Sequence, residues 1–284
     1  MKTKYSSKDF EVNNLPNSRA RQFFTIFRIE WKTLLLLNLI IFLFFIPYFA
    51  IDILRWSVCD SYWHSIVASS AEPEKDYMTA KFYIDMVYAG IMLFIYPIIS
   101  ICLGGVVKIM QRCVYAEGVL FKDDFFTGIK KNWKQLIPLS IIYGLFKVLL
   151  QFNISFCSLN PGVFSSVFQG VSIAIFYGVI APIIFFTASN VVTYKMSVFT
   201  GFSNSIKMFI KKFHISIIFS LIMYGLTYLD LIPNVIIRIF ISSGIIVLFS
   251  SLFILAWYLF STSIFDEYIN KENYPEIYRK GLRP

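Results

Sequence analysis

The chain has 284 residues, of which 57% are hydrophobic, 19% aromatic and 15% charged, and it carries a formal net charge of +9. A soluble domain carries about 25% charged residues, so the deficit points to lipid as the solvent and argues against an ordinary water-soluble globule. The positive charge lies beside hydrophobic runs rather than on a polar fold, which favours a membrane surface over nucleic acid as the partner.

Thr33 to Ile51, Met86 to Val107, Val148 to Tyr194 and Ile239 to Phe265 contain no Asp, Glu, Lys or Arg. A helix needs roughly 20 apolar residues to cross a hydrocarbon core about 30 Å thick. By that measure the first, second and fourth runs are one crossing each. The third, with the apolar residues before Lys147, is two crossings joined at "NISFCSLNPG", and Phe213 to Leu229 adds another. The expected fold is all-α: a single polytopic membrane domain of six transmembrane helices, with spans at 33–53, 83–107, 136–156, 163–193, 213–232 and 239–263. The polar stretch before the first run and that run's length predict a retained signal anchor rather than a cleaved leader.

Orientation follows from the basic residues. With these spans, Arg55, Lys75, Lys81 and Arg238 fall on one side and Lys147 within a span, while every other Lys and Arg of the 26 lies on the opposite side. The positive-inside rule makes that richer side cytoplasmic. The expected location is therefore a plasma membrane, multi-pass, with both tails (1–22 and 266–284) inside. The 4 cysteines are too few for a disulfide scaffold. Cys59 and Cys157 both face outward in this topology, as a bridge or as two thiols that never meet.

Each outward-going span follows a basic aromatic stretch. In "DDFFTGIKKNWKQ", at about 100° per residue, Phe125, Ile129, Trp133 and Leu136 share one face, with Lys130, Lys131 and Lys134 opposite. Asp123 and Asp124 stand where a helix start favours acids. Aromatics opposite lysines describe an amphipathic helix in the headgroup layer, with rings in the acyl boundary and ammonium groups on anionic lipid of the inner leaflet. "FFTIFRIEWK", residues 23–32, matches "FFTGIKKNWK", residues 125–134, without a gap, so Phe23, Phe27, Arg28, Trp31 and Lys32 form a corresponding face. "FSNSIKMFIK", from Phe202, is a weaker third copy. The chain thus reads as three units of interfacial elbow plus helical hairpin.

These features, and above all "GGVVKIMQRCVYAEGVLFKDDFFTGIKKNWKQ", resemble the YesL-like family of bacterial membrane proteins. The resemblance is carried by Asn38 and Pro47 in the first span, and by Glu117, Gly118, Asp124, Phe125, Phe126 and Lys130 to Gln135. It is clear over about residues 20–150 and thinner beyond. It implies a domain of unknown function whose members occur beside carbohydrate ABC-importer components. The expected role is that of an accessory or regulatory partner of such an importer in a bacterial plasma membrane. A departure from the family pattern is the long outward segment from Leu54 to Phe82.

No residue pattern predicts catalysis. His64 and His214 lack metal spacing, and there is no Cys-x-x-Cys, phosphate-binding Gly-rich loop or Gly-x-Ser-x-Gly elbow. The expectation is a non-enzymatic protein without metal or cofactor, acting through the two elbow faces as anchors and docking surfaces. The alternative is a small-solute transporter or substrate-binding subunit. It would rest on an intramembrane polar site with Lys147 and Asp85 as partners and Gln151 and Asn153 nearby, because charges in hydrocarbon are costly. A lysine snorkelling to the headgroups, with acids ending helices in wet interface, explains the same residues structurally. Asp52, Asp230 and Arg238 stand near the outer helix ends, and the C-terminal "DEYINKENYPEIYRKGL" either docks on the elbows or a partner or remains a flexible tail.

Overall fold

A computed structural model describes residues 15–225, 229, 232 and 234–283. These residues are helical with short connections and no strand among them. The helices are α1 (Arg19–Ser69), α2 (Pro73–Val114), α3 (Phe121–Leu159), α4 (Val163–Ile175), α5 (Ala181–Tyr194), α6 (Val198–Lys211), α7 (Phe213–Gly225), α8 (Val235–Phe265) and the short α9 (Lys271–Asn273). A π-helical turn, Phe176–Ile180, joins α4 to α5, and a second, Asp266–Asn270, joins α8 to α9.

Five continuous helical stretches are long and apolar enough to cross a membrane: Arg19–Ser69, Pro73–Val114, Phe121–Leu159, Val163–Tyr194 and Val235–Asn273. They match five of the expected spans. The described part of the other, α7, is 13 residues, shorter than a crossing. Residues 226–228, 230 and 231 of that expected span, Asp230 among them, lie outside the described residues.

The expected outward segment 54–82 is not a loop. α1 runs on to Ser69 and α2 begins at Pro73, leaving only Ser70 to Glu72 between them. Residues 54–69 hold neither Gly nor Pro, so nothing stops the helix where hydrophobicity ends. Pro73 opens α2, where its missing N–H costs nothing.

The elbows differ from one another. The first bends into its span at Glu30, whose backbone is non-helical (φ −107°, ψ 20°). The second runs without a break into the 39-residue α3. The third, α6, is separated from α7 by Lys212. All three gather at one end of the bundle, here the elbow end, where α2, α5 and α8 finish.

The core runs down the middle of α1, α2, α3, α5 and α8, around Leu37, Val106, Ile109, Met110, Leu139, Leu255 and Tyr258. α2 and α3 approach closely through glycine. A Cβ on Gly105 would stand 2.5 Å from the Phe125 ring, and one on Gly128 would stand 2.6 Å from the Gly104 carbonyl oxygen. Gly104 and Gly105 are thus a helix-packing surface. Asn38 joins α1 to α8: its Oδ1 accepts from the Ser251 N–H at 2.6 Å and the Ser250 hydroxyl at 2.9 Å.

The C-terminal tail folds back as a strap. After α8 it returns to the start of α1, and the Arg283 N–H donates to the Pro16 carbonyl at 3.0 Å. Of the expected alternatives, docking on an elbow is the one observed.

Candidate functional site

Three groups of polar side chains stand out, and helix spacing builds each. At the end opposite the elbows, Asp52 and Arg55 lie three apart on α1, and Lys81 and Asp85 four apart on α2, spacings that put each pair on one helix face. Asp85 is buried, and its carboxylate receives Arg55 at 2.9 Å and Lys81 at 3.1 Å. From α3, Ser155 donates to it at 3.1 Å and Gln151 at 3.4 Å. Asp52 holds Arg238 of α8 at 2.6 Å. The alternation Arg238–Asp52–Arg55–Asp85–Lys81 fastens α8, α1 and α2, with α3 attached by neutral donors. A buried carboxylate is tolerated where cations and donors satisfy it this fully.

The expected pairing of Lys147 with Asp85 is not what the structure holds. Lys147 lies a helical turn from Gln151 along α3, away from Asp85, and donates to the Tyr177 hydroxyl at 3.0 Å. Its ammonium is 5.3 Å from the centroids of both the Phe176 and Tyr177 rings. These aromatics belong to the π-helical turn, which adds a residue and re-aims side chains toward α3. Tyr143 packs against Phe176 and against Tyr96 of α2, continuing the aromatic cluster. Of the expected quartet, Asp85 and Gln151 come together. Asn153 turns to α4, donating to Ser172, and accepts the Cys157 thiol at 3.1 Å. Both Cys157 and Cys59 are buried and free, so the Cys59–Cys157 bridge is not formed. The Cys157 thiol is engaged within its own helix instead.

At the elbow end the strap closes a third network. Arg19, at the start of α1, donates to Asp266 at 2.6 Å with both side chains buried, and also to the Lys280 carbonyl at 2.9 Å. Gln22 Nε2 donates to the Val114 carbonyl at 2.7 Å and the Gly281 carbonyl at 3.1 Å. Gly281 has φ +81°, and a Cβ there would meet the Val114 oxygen at 2.1 Å, so only glycine fits. Lys280 reaches Glu117 at 2.7 Å, and Arg112 pairs with Glu117 and with Asp124, the latter at 3.1 Å. Asp124 also caps its own helix, accepting the Leu120 N–H at 2.9 Å. Partial burial alone would raise the Glu117 pKa, but the hydrogen bonds from Lys280 and Arg112 outweigh it and hold the carboxyl below its ordinary value.

The elbow faces are shared between core and surface. Phe125 and Leu136 are buried and Ile129 is half-buried, so of the expected lipid-facing arc on α3 these three pack against α2 and only Trp133 stays exposed. A helical wheel shows that a face is apolar, not which neighbour covers it, and Gly105 supplies the cover here. The exposed aromatics are Phe126 and Trp133, beside exposed Lys130, Lys131 and Lys134. On α1, Phe23 packs on the core, whereas Phe27, Arg28, Trp31 and Lys32 are exposed. Lys32 stands 5.6 Å from the Trp31 ring and Lys134 stands 5.7 Å from the Trp133 ring, a repeated cation–aromatic pair.

Two cavities adjoin the first elbow. One, of about 430 Å³, lies between α1, the end of α2 and the strap, and is lined by Thr25, Arg28, Glu30, Glu117 and Gly281 among others. The other, about 450 Å³, is an apolar groove between α1 and α8. Sequence reasoning missed Arg19, Gln22, Arg55, Glu117, Tyr177 and Asp266 as site residues. Only the Asp52/Arg55 and Lys81/Asp85 spacings signalled any of these contacts, and only if the helices extend past the apolar runs. In comparisons with known proteins, no family model, no curated protein and no solved structure matches the chain.

Proposed function

We propose that this chain is a non-enzymatic, YesL-like multi-pass protein of a bacterial plasma membrane, and that it acts as an accessory or regulatory partner of a carbohydrate ABC importer. On this reading six crossings form three hairpins, both termini are cytoplasmic, and anionic inner-leaflet lipid surrounds the elbow end. The observation that supports it best is the repeated exposed face: Trp31 with Arg28 and Lys32, and Trp133 with Lys130, Lys131 and Lys134, all at one end of the bundle. Rigid aromatics bordered by cations suit both headgroups and a partner's acidic surface. The ion-pair chain at the far end supports a fastened scaffold rather than a moving one.

The test is crosslinking in cells, followed by mild-detergent affinity purification from native membranes and mass spectrometry. Recovery of importer permease or sugar-binding subunits, linked through Lys130, Lys131 or Lys134, is the expected result. A solitary protein that retains normal insertion after charge reversal at those lysines would sink the docking role.

A second reading, small-solute transport, is favoured by the Lys147–Tyr177 contact on a π-helical turn, since such turns recur at functional sites. On that reading Lys147→Met abolishes solute uptake in proteoliposomes while leaving the thermal unfolding midpoint nearly unchanged. Unchanged uptake removes its main support.

A further inference from the structure

We infer that the groove between α1 and α8 is a seat for one glycerophospholipid of the elbow-side leaflet, with the lipid phosphate on Arg28 and one acyl chain along the groove. The inference rests on the membrane-crossing reading of α1 and α8, but not on the accessory role. Phe27, Trp31, Leu248 and the residues between them make the groove apolar, and Arg28 stands at its head. Arg28 is exposed and has no ion-pair or hydrogen-bond partner among the described residues. An unpaired guanidinium beside an exposed indole is complementary to a phosphate at the headgroup level, where bidentate hydrogen bonding strengthens the contact. Arg28 also lines the polar cleft beside the strap, which gives the headgroup beyond the phosphate a polar space.

The length of the groove fits the same occupant. It runs along α1 from Arg28 to Asn38. α1 bends at Glu30, so the straight part of the lining, Trp31 to Asn38, rises roughly 10 Å at about 1.5 Å per residue, which lies within one leaflet of a hydrocarbon core about 30 Å thick. Asn38 and Ser251 meet across the two helices within the groove, both buried, and Leu248 lies one turn of α8 farther from the elbow end. A chain anchored by its phosphate at Arg28 runs over Leu35, Leu252 and Leu248. A helix from a partner protein would not need a cation at one end.

The experiment uses the full-length chain in nanodiscs containing phosphatidylglycerol, released into the gas phase for native mass spectrometry. Wild type is expected to keep one phospholipid under activation that strips the surrounding lipid. Arg28→Ala is expected to lower the retained fraction about tenfold, the loss of a charged hydrogen bond. Leu248→Trp, which fills the groove from an exposed position, is expected to lower it at least as far. Both substitutions are at exposed sites, so the fold is kept, and an unchanged melting midpoint checks this. Equal retention by all three proteins overturns the lipid seat alone. Retention by Arg28→Ala at the wild-type level, with loss only in Leu248→Trp, overturns the phosphate contact that defines it. A wild-type chain that washes off membranes in carbonate overturns the membrane reading, and this inference with it.

Discussion

Asp85 concentrates more of the bundle's electrostatics than any other side chain at the far end. Its side chain is only 1% exposed, whereas those of Arg55 and Lys81 are 33% and 40% exposed. Asp85→Asn keeps the shape but leaves two cations facing a neutral amide. The expected destabilisation is about 2 kcal/mol, below the ~3–5 of a wholly buried pair, because both cations can turn to solvent. Thermal unfolding in detergent reads this directly, with Arg55→Met completing a double-mutant cycle. An unchanged midpoint in Asp85→Asn would show that the carboxylate is not holding α1, α2 and α3 together. The sequence singles out Asp85 and, in the transport reading, pairs it with Lys147, the cation within a span; Arg55 and Lys81, which hold it in the structure, fall in the expected outward segment. Once α1 and α2 are seen as helices that outlast their apolar runs, the three- and four-residue spacings become legible as contacts.

Between elements, the close approach of α2 and α3 decides how the second elbow sits. Gly105→Ala would set a methyl 2.5 Å from the Phe125 ring and 2.9 Å from the Phe125 carbonyl oxygen, so both ring and backbone must move. The expected cost is about 1–3 kcal/mol of overpacking. Gly90→Ala on the same helix meets nothing within 4 Å and serves as the control, where the gain in helix propensity is free to act. If both variants melt alike, the glycine contact is not what positions the elbow. The existence of the elbows was readable from the repeated aromatic and basic residues. Their form was not, because it depends on the neighbours: Glu30 bends the first, Gly105 and Gly128 draw the second against α2, and Lys212 interrupts the third. The periodicity common to all three is local, and the differences come from packing.

At the scale of the whole molecule, the strap makes the elbow end depend on pH. The Glu117 carboxyl is depressed below its ordinary value of 4.5 by Lys280 and Arg112. A group whose folded-state pKa is lowered stabilises the folded form above its unfolded value and loses that contribution as pH falls through the folded value. The strap is therefore expected to be fully held at neutral pH and to loosen as the medium is acidified below about 4.5. Hydrogen exchange at the first turns of α1, measured between about pH 7 and pH 3 and corrected for intrinsic rates, should show this loosening. Glu117→Gln should show weaker protection at neutral pH and a flatter profile. A wild-type profile as flat as that of the variant would sink the idea. Nothing in the tail's own composition distinguished a docked strap from a loose end, since Arg19 and Asp266 are 247 positions apart and pair only once the bundle has formed.

That separation has a consequence for how the protein is made. α1 emerges first, yet Arg19 waits for Asp266 and Asn38 waits for Ser251. At synthesis rates of about 5–20 residues per second, the first helix spends on the order of ten seconds to a minute in the membrane before its last partner arrives. During that interval its α8-facing side, with an unsatisfied asparagine within its span, is open to lipid or to whatever insertion factor holds nascent helices. Ribosome-bound chains halted before residue 251 should therefore be crosslinkable from position 38 to such a factor or to lipid, and released full-length chains should not.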